Sequence, residues 1–315
     1  MGRYMMPHLH IFLPVAGVSV NIVLMLGMGF AVGFLAGLFG IGGGFLLTPL
    51  LIMMGIPATA AAASDSNQIV AATTSGTFAH WRLGNVDFKM GIILTIGGLI
   101  GGTVGVQLIK MLRAAGNADF VIKITYVVML GIIGSYMFQE SLHNLRPRFA
   151  GRAKAVPGKK FWFTRFGESL PFVTHFEKSG VSLSVFMPII LGALVGMLSA
   201  MMGIGGGFIM VPVMIYLLRM PMHVVVGTNL FQELFICINV TFLQSYYNHT
   251  VDLVIAILLL IGSTTGAQIG ARVSNRLRAD YLKIILASIV LLVMIKMALG
   301  LLLHPATMLA FGGIH

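Results

Sequence analysis

Acidic residues are scarce. The 315-residue chain carries nine Asp and Glu against twenty Lys and Arg, and charged side chains of every kind make up only 9% of it. Soluble domains are about one-quarter charged, so water is excluded as the main solvent of this fold. A single cysteine, Cys237, rules out an intrachain disulfide and cannot by itself build a thiolate metal cluster. No G-x-x-x-x-G-K-[ST] run is present, so ATP is not used directly through this chain. H-E-x-x-H, paired aspartates and G-x-S-x-G are also missing, which argues against an intramembrane enzyme. Neither a metal nor a cofactor is expected.

The net charge of +11 raises nucleic acid as a partner, but the basic residues lie between apolar segments rather than on one folded face. Positive-inside bias accounts for them, and it places the densest cluster, the linker 140–181, in the cytoplasm. No nucleic-acid partner is expected. No small-residue cleavage site precedes the first span, so the N-terminal segment 1–18 is expected to be retained.

Apolar residues make up 57% of the chain. Stretches of roughly 18 to 25 of them, the length that crosses ~30 Å of hydrocarbon, recur at 20–40, 58–80, 89–112, 121–139, 184–203, 222–245, 253–274 and 281–303. They do not alternate as barrel strands would. The expected fold is an all-α polytopic membrane protein of about eight transmembrane helices, with the lipid bilayer as its surroundings.

The chain also repeats itself. FGIGGGFLLTP at 39–49 returns as MGIGGGFIMVP at 202–212, and the match extends well beyond the motif. Pro57 pairs with Pro221, Val86-Asp87 with Val251-Asp252, and Gly97, Gly101 and Gly105 with Gly262, Gly266 and Gly270. Two homologous four-helix repeats follow, 19–139 and 182–303, ahead of a C-terminal tail at 304–315. Glycines four apart make a smooth helical stripe and read as packing seams. Runs of glycine are different, because each costs about 1 kcal/mol relative to alanine in a helix. From Val20 to Met54 the chain is too long for one crossing and too short for two, so each repeat is expected to contain a glycine-broken helix followed by a half-helix. Backbone groups freed at such a break must be buried in protein or line a polar cavity. The positive end of the half-helix, bare at Gly42, Gly43 and Gly44 and again at Gly205, Gly206 and Gly207, suits an anion.

After each half-helix comes a helix whose opening is polar, ASDSNQ at 63–68 and GTNLFQ at 227–232. Ser64 matches Thr228, Asp65 matches Asn229, and Gln68 matches Gln232. Residues three apart share a helical face, so two such helices would present hydroxyls and carboxamides to one central place. Ser64, Asn67, Gln68, Thr228, Asn229 and Gln232 are the candidate ligands for the oxygens of an oxyanion. Helix capping is the competing account of Ser64 and Thr228. Asp65 and Glu233 are the acids nearest this region, and intramembrane carboxyls are candidates for proton coupling.

These motifs resemble the TauE/SafE family of sulfite exporters and organosulfonate permeases. The resemblance rests on Gly33, Gly37 and Gly40-Ile41-Gly42-Gly43-Gly44 with Pro49, and on Gly196 and Gly203-Ile204-Gly205-Gly206-Gly207 with Pro212, Ala200 replacing one glycine. GTNL at 227–230 and the two Val-Asp pairs add to it, whereas Ser64-Asp65-Ser66 departs from the family's usual pairing and the linker is longer. The resemblance implies a secondary transporter of small sulfur anions such as sulfite or sulfoacetate, multi-pass in a bacterial inner membrane and capable of forming a homodimer. An anion channel is the nearest alternative, and an intramembrane enzyme a more distant one.

Overall fold

Short β-hairpins, which the hydropathy pattern hides, introduce both halves of the molecule. The computed structural model describes residues 10–39, 44–145, 173–274 and 279–303. In the first half, β1 (His10–Leu13) and β2 (Val18–Asn21) lead into α1 (Ile22–Phe39), α2 (Gly44–Met53), α3 (Ala58–Arg82), α4 (Phe88–Ala114) and α5 (Ala118–Leu145). In the second, β3 (Val173–Phe176) and β4 (Val181–Ser184) lead into α6 (Phe186–Met202), α7 (Gly207–Pro212), α8 (Met222–Leu243), α9 (Leu253–Ser274) and α10 (Ala279–Leu303). A π-helical turn, Val213–Leu217, extends α7, and a second, Gln244–Asn248, extends α8. Most of the linker lies outside the described residues.

The chain is a mostly helical polytopic membrane protein. Among the described residues, Phe88–Ala114, Ala118–Gln139, Met222–Asn248 and Leu253–Gly270 are long and apolar enough to cross a bilayer. Ile22–Ala36, Gly44–Met53, Phe186–Met202 and Ala287–Leu302 are shorter apolar helices. Helix α3 has the length to cross, but its polar rungs lower its hydropathy.

The glycine stripes are seams, as expected. β-Carbons at Gly97, Gly101 and Gly105 of α4 would run into the backbone of Ile189, Ala193 and Met197 on α6. At Gly29 and Gly33 of α1 they would meet Leu259 and Ser263 on α9. Backbones at this spacing maximise dispersion contact where lipid offers no hydrophobic drive. Along both seams the residue numbers rise together, so these partners run parallel. Each seam crosses between the halves, locking the first helix of one to the fourth helix of the other.

Other pairs run in opposite senses. Gly131 and Gly134 of α5 face Met294 and Val290 of α10. Gly76 of α3 faces Leu230 of α8, while the α3 residue His80 lies beside Gly227. Helix α2 runs against α3, with Gly44 beside Ile69 and Thr48 bonded to Asp65. Because α3 is parallel to α9, through Ser64 with Asp252 and Gln68 with Ser263, α1 and α2 also point opposite ways. The two helices are therefore antiparallel. In the second half the reversal is visible in full: Gly203, Gly205 and Gly206 have φ of 73°, 76° and 90°, which a β-carbon would strain. The expected break after α6 is present.

One expectation is corrected. The polar rungs do not open their helices, because α3 begins at Ala58 directly after Pro57, and α8 begins at Met222 after Pro221. Proline fixes φ ahead of the first turn and sets the start there. Ser64 and Thr228 lie well inside and cap nothing.

Candidate functional site: a buried polar cluster between two glycine-flanked corners

The two half-helices meet. Phe45 is the second residue of α2 and Phe208 the second of α7, and their rings stack with centroids 4.5 Å apart and planes 6° from parallel. A β-carbon on Gly44 would come within 3.2 Å of Ile204 Cα, so the start of α2 touches the second glycine loop. Around this contact α3 and α8 cross, each carrying one acid.

In the first corner, Asp65 is fully buried and its Oδ2 accepts the Thr48 hydroxyl at 2.7 Å. The missing side chain of Gly44 makes room for it, since a β-carbon there would lie 3.1 Å from that oxygen and 2.5 Å from Ile69 Cδ1. In the second corner, Glu233 is fully buried and its Oε2 accepts Asn229 Nδ2 at 3.2 Å. This carboxylate fills the hollow of the second glycine loop. A β-carbon on Gly207 would sit 2.7 Å from Oε2, and one on Gly205 would collide with Oε1 and lie 3.0 Å from Cys237 Sγ. Bare glycine is needed there because the acid occupies the space.

The carboxamides complete the cluster. Gln68 donates through Nε2 to Ser263 Oγ at 2.6 Å, and its Oε1 has no partner. Gln232 is buried with both polar atoms unpartnered. Among the described residues nine buried side-chain polar atoms lack a hydrogen bond, and six of them lie here: Asp65 Oδ1, Gln68 Oε1, Asn229 Oδ1, both Gln232 atoms and Glu233 Oε1. Each costs about 1–3 kcal/mol when unsatisfied, while a whole fold retains only roughly 5–15 kcal/mol. Six such atoms on α3 and α8, in an otherwise apolar protein, mark these two helices as the place where further hydrogen-bond partners are wanted.

A comparison with known proteins bears on what those partners are. The family model described as "Sulfite exporter TauE/SafE" matches residues 25–297. The chain belongs to this family. Among the family's relatives of this chain, the probable membrane transporter protein YjnA of Bacillus subtilis is 29% identical over 282 residues, covering 89% of this chain and 99% of its own length. A probable membrane transporter protein of Xylella fastidiosa is 27% identical over 263 residues, covering 82% and 87%. The sulfite exporter TauE/SafE family protein 5 of Arabidopsis thaliana is 30% identical over 96 residues, 30% of this chain and 21% of its own length. No solved structure matches. As a member of a family whose relatives carry these names, the chain is a membrane transporter.

The family's duplicated glycine motif can now be followed residue by residue. Gly42 and Gly43 lie outside the described residues. Gly44, Gly205 and Gly207 border the cluster, whereas a side chain on Gly206 would turn toward Val195 and Ser199 of α6. Asn229 is bonded to Glu233, whose carboxylate lies against Gly205 and Gly207, while Gln68 is turned to Ser263 of α9 and Gln232 is buried next to Glu233 in the chain. Asn67 stands apart, being half-buried and about 200° round α3 from Asp65. The hydroxyls of Ser64 and Thr228 are engaged elsewhere, accepting the backbone N–H of Asp252 and Asp87, each at 3.0 Å. Lys296 lines an outer groove with Phe138, Ser288 and Leu292, away from the cluster.

Sequence reasoning missed Thr48 and Ser263. Ser263 carried a signal, because it stands opposite Gly98 in the repeat alignment and is thus a polar exception on a glycine stripe. Thr48 carried none, being the single polar side chain of an apolar helix.

Proposed function

We propose that this protein is a secondary transporter in a bacterial inner membrane that moves small sulfur-containing anions, sulfite or an organosulfonate such as sulfoacetate, together with protons. The family's description as sulfite exporters supports the substrate class. The observation that carries the site is the set of six orphaned polar atoms on α3 and α8, enclosed where two glycine-flanked half-helices meet.

The architecture proposed is a pair of inverted four-helix repeats, each with a doubled-back α1–α2 or α6–α7 pair. Supporting it, α3 opposes its equivalent α8 and α5 opposes α10, which a two-fold axis in the membrane plane produces. Rocking of one half against the other about the cluster would then expose the site alternately to each side. Asp65, Gln68, Asn229, Gln232 and Glu233 are buried to 4% exposure or less, as befits an enclosed stage of that cycle.

Coupling follows from charge. An ionised carboxylate ~4 Å from a bound anion would oppose it by about 4 kcal/mol even at an effective dielectric constant of ~20. A neutral carboxyl instead donates a hydrogen bond to the same anion. Entry of the anion is therefore tied to protonation of Asp65 or Glu233, and the Gln232 amide donates to the anion's oxygens without any change of state. Ser64 and Thr228 brace the two halves and are left out of the binding set.

The decisive experiment is transport by the purified protein in liposomes over sulfite, sulfate, sulfoacetate and taurine, with and without a pH gradient. Saturable, gradient-driven movement of a sulfur anion is expected, together with slower labelling of Cys237 by a small thiol reagent when that anion is present. Cys237 is the chain's sole thiol and stands beside Gly205 and Glu233, so it reports directly on the cluster. Non-saturating flux indifferent to the gradient would replace the carrier with a channel. Undiminished transport in Gln232→Ala and Glu233→Gln would remove the site.

A further inference from the structure

The hairpins that introduce the two halves are copies of each other. Leu13 with Phe176 and Gly17 with Gly180 keep the spacing of the duplicated glycine motif. Each glycine closes a tight turn, its N–H bonded to the Leu13 or Phe176 carbonyl at 2.8 Å and its φ positive, 68° and 64°. Each hairpin tip rests on a turn of the other half. The Val15 N–H donates to Asp252 Oδ2 at 3.1 Å, just before α9. The Ser179 N–H and hydroxyl donate to Asp87 Oδ2, just before α4, and Lys178 Nζ reaches the carbonyls of Gly84 and Val86 at 3.3 Å and 3.1 Å. Turns between helices are ordinarily open to water. Here Asp252 is 0% exposed and Asp87 4%.

Hairpin and turn make one unit, because the helix that each hairpin feeds, α1 or α6, is seamed to the helix that the turn feeds, α9 or α4. Each unit is tied in turn to a helix that carries the polar rungs. The Asp252 N–H donates to Ser64 Oγ, next to Asp65 on α3, and the Asp87 N–H to Thr228 Oγ1, next to Asn229 on α8, each at 3.0 Å. Helices α3 and α8 run in opposite senses, with Gly76 facing Leu230 and His80 beside Gly227. Thr228 therefore stands opposite residues 76–80 of α3, roughly 20 Å along the axis from Ser64. Asp65, Gln68, Asn229, Gln232 and Glu233 all lie between these two levels. One unit covers each end of the row, and the two ends lie toward opposite faces of the membrane.

We propose that the two hairpin-and-turn units are alternating lids over the ends of the anion's route, and that the hydroxyls of Ser64 and Thr228 are their latches. This rests on the reading of the protein as a carrier whose site opens to one side at a time. While a lid is shut, the N–H of Asp252 or Asp87 is buried and needs an acceptor, which the hydroxyl supplies. When the lid lifts, water takes over that bond, so release has a small net cost. Removing the hydroxyl inverts the balance. The N–H is then unsatisfied only in the shut arrangement, and the open one gains.

The test uses Cys237, the chain's sole thiol, which lies on α8 between the two latches. Its labelling by a membrane-impermeant methanethiosulfonate is timed in right-side-out and in inverted membrane vesicles. Ser64→Ala is expected to speed labelling several-fold from one face and not from the other. Thr228→Val should do the same from the opposite face, and Ser64→Thr and Thr228→Ser, which keep the hydroxyl, should label like the unaltered protein. Opposite sidedness is the signature, because a loosened fold admits the reagent from both faces. Unchanged rates in folded protein, or faster labelling from both faces or from the same face in the two variants, would overturn the lids. If one variant does not fold, the other must still show its one-sided effect. Labelling needs no substrate, so failure to move any sulfur anion rejects the parent reading while the lids are still read. Intact transport without one-sided labelling rejects only the lids.

Discussion

Two corners of the cluster occupy equivalent places yet solve one problem differently. In the first, the acid is Asp65 and the rung one turn later is Ile69; in the second, the rung equivalent to Asp65 is Asn229 and the acid, Glu233, comes a turn later. Each glycine opening therefore meets one carboxylate, reached by a short side chain in one half and a longer one in the other. The carboxamides differ too, since Gln68 is held by Ser263 whereas Gln232 has no partner. Around this asymmetric centre the frame stays symmetric. Asp87 and Asp252 sit at the α3–α4 and α8–α9 turns, each bonded to the other half's hydroxyl and to its hairpin. The two turns make matching contacts, and the chemistry at the cluster between them does not match.

That comparison can be broken most severely at the acids. Asp65→Asn and Glu233→Gln each remove one titrating group, and gradient-driven uptake in liposomes is expected to fall by tenfold or more in at least one of them, with anion exchange surviving. Equal, small effects in both would mean that neither corner couples protons. Next in size is Gln232→Ala, which deletes a side chain with no partner inside the protein. A several-fold rise in the substrate concentration for half-maximal rate is expected, with unfolding temperature unchanged or higher because two buried unsatisfied atoms disappear. A lower unfolding temperature would show that Gln232 serves the fold instead.

The symmetric frame predicts a contrasting outcome. Asp87→Ala removes a side chain that caps α4 through the Met90 N–H at 3.0 Å and accepts two bonds from Ser179, at 3.1 Å and 2.5 Å. A loss of about 1–2 kcal/mol is expected from the cap alone, read as a lowered thermal midpoint in detergent, with substrate affinity in the surviving fraction unaltered. Asp252→Ala should behave alike, having Val15, Val254 and Ile255 as its partners. The smallest effect belongs to Ser263→Gly, which makes the first corner resemble the second by freeing Gln68. A change in half-saturating concentration of no more than about threefold is expected, from the scale of a single neutral hydrogen bond. A much larger change would place Ser263 itself against the substrate.

Much of this was legible before any coordinates. The duplicated motif, the break after α6, the seams and the polar rungs at Asp65, Gln68, Asn229 and Gln232 follow from local rules of glycine cost and helical spacing. Other parts were not. Strands of four residues such as Val18–Asn21 merge with the apolar run beside them, so the hairpins were invisible to hydropathy. Ser64 and Thr228 looked like ligands because they share a segment with ligands, but helix geometry turns them toward the opposite Val-Asp turns. Thr48 gained meaning only from a neighbour 17 residues away.

The sequence by itself determined the solvent, the duplication and the points where helices end, because hydropathy, glycine and proline act within a few residues of where they stand. Tertiary structure alone decided that α1 pairs with α9 and α4 with α6, that α1 and α2 are antiparallel, and that two acids from different rungs share one enclosure. Those outcomes depend on backbones approaching across the whole length of the chain, where the energy lies in close contact between surfaces and leaves no trace in local composition.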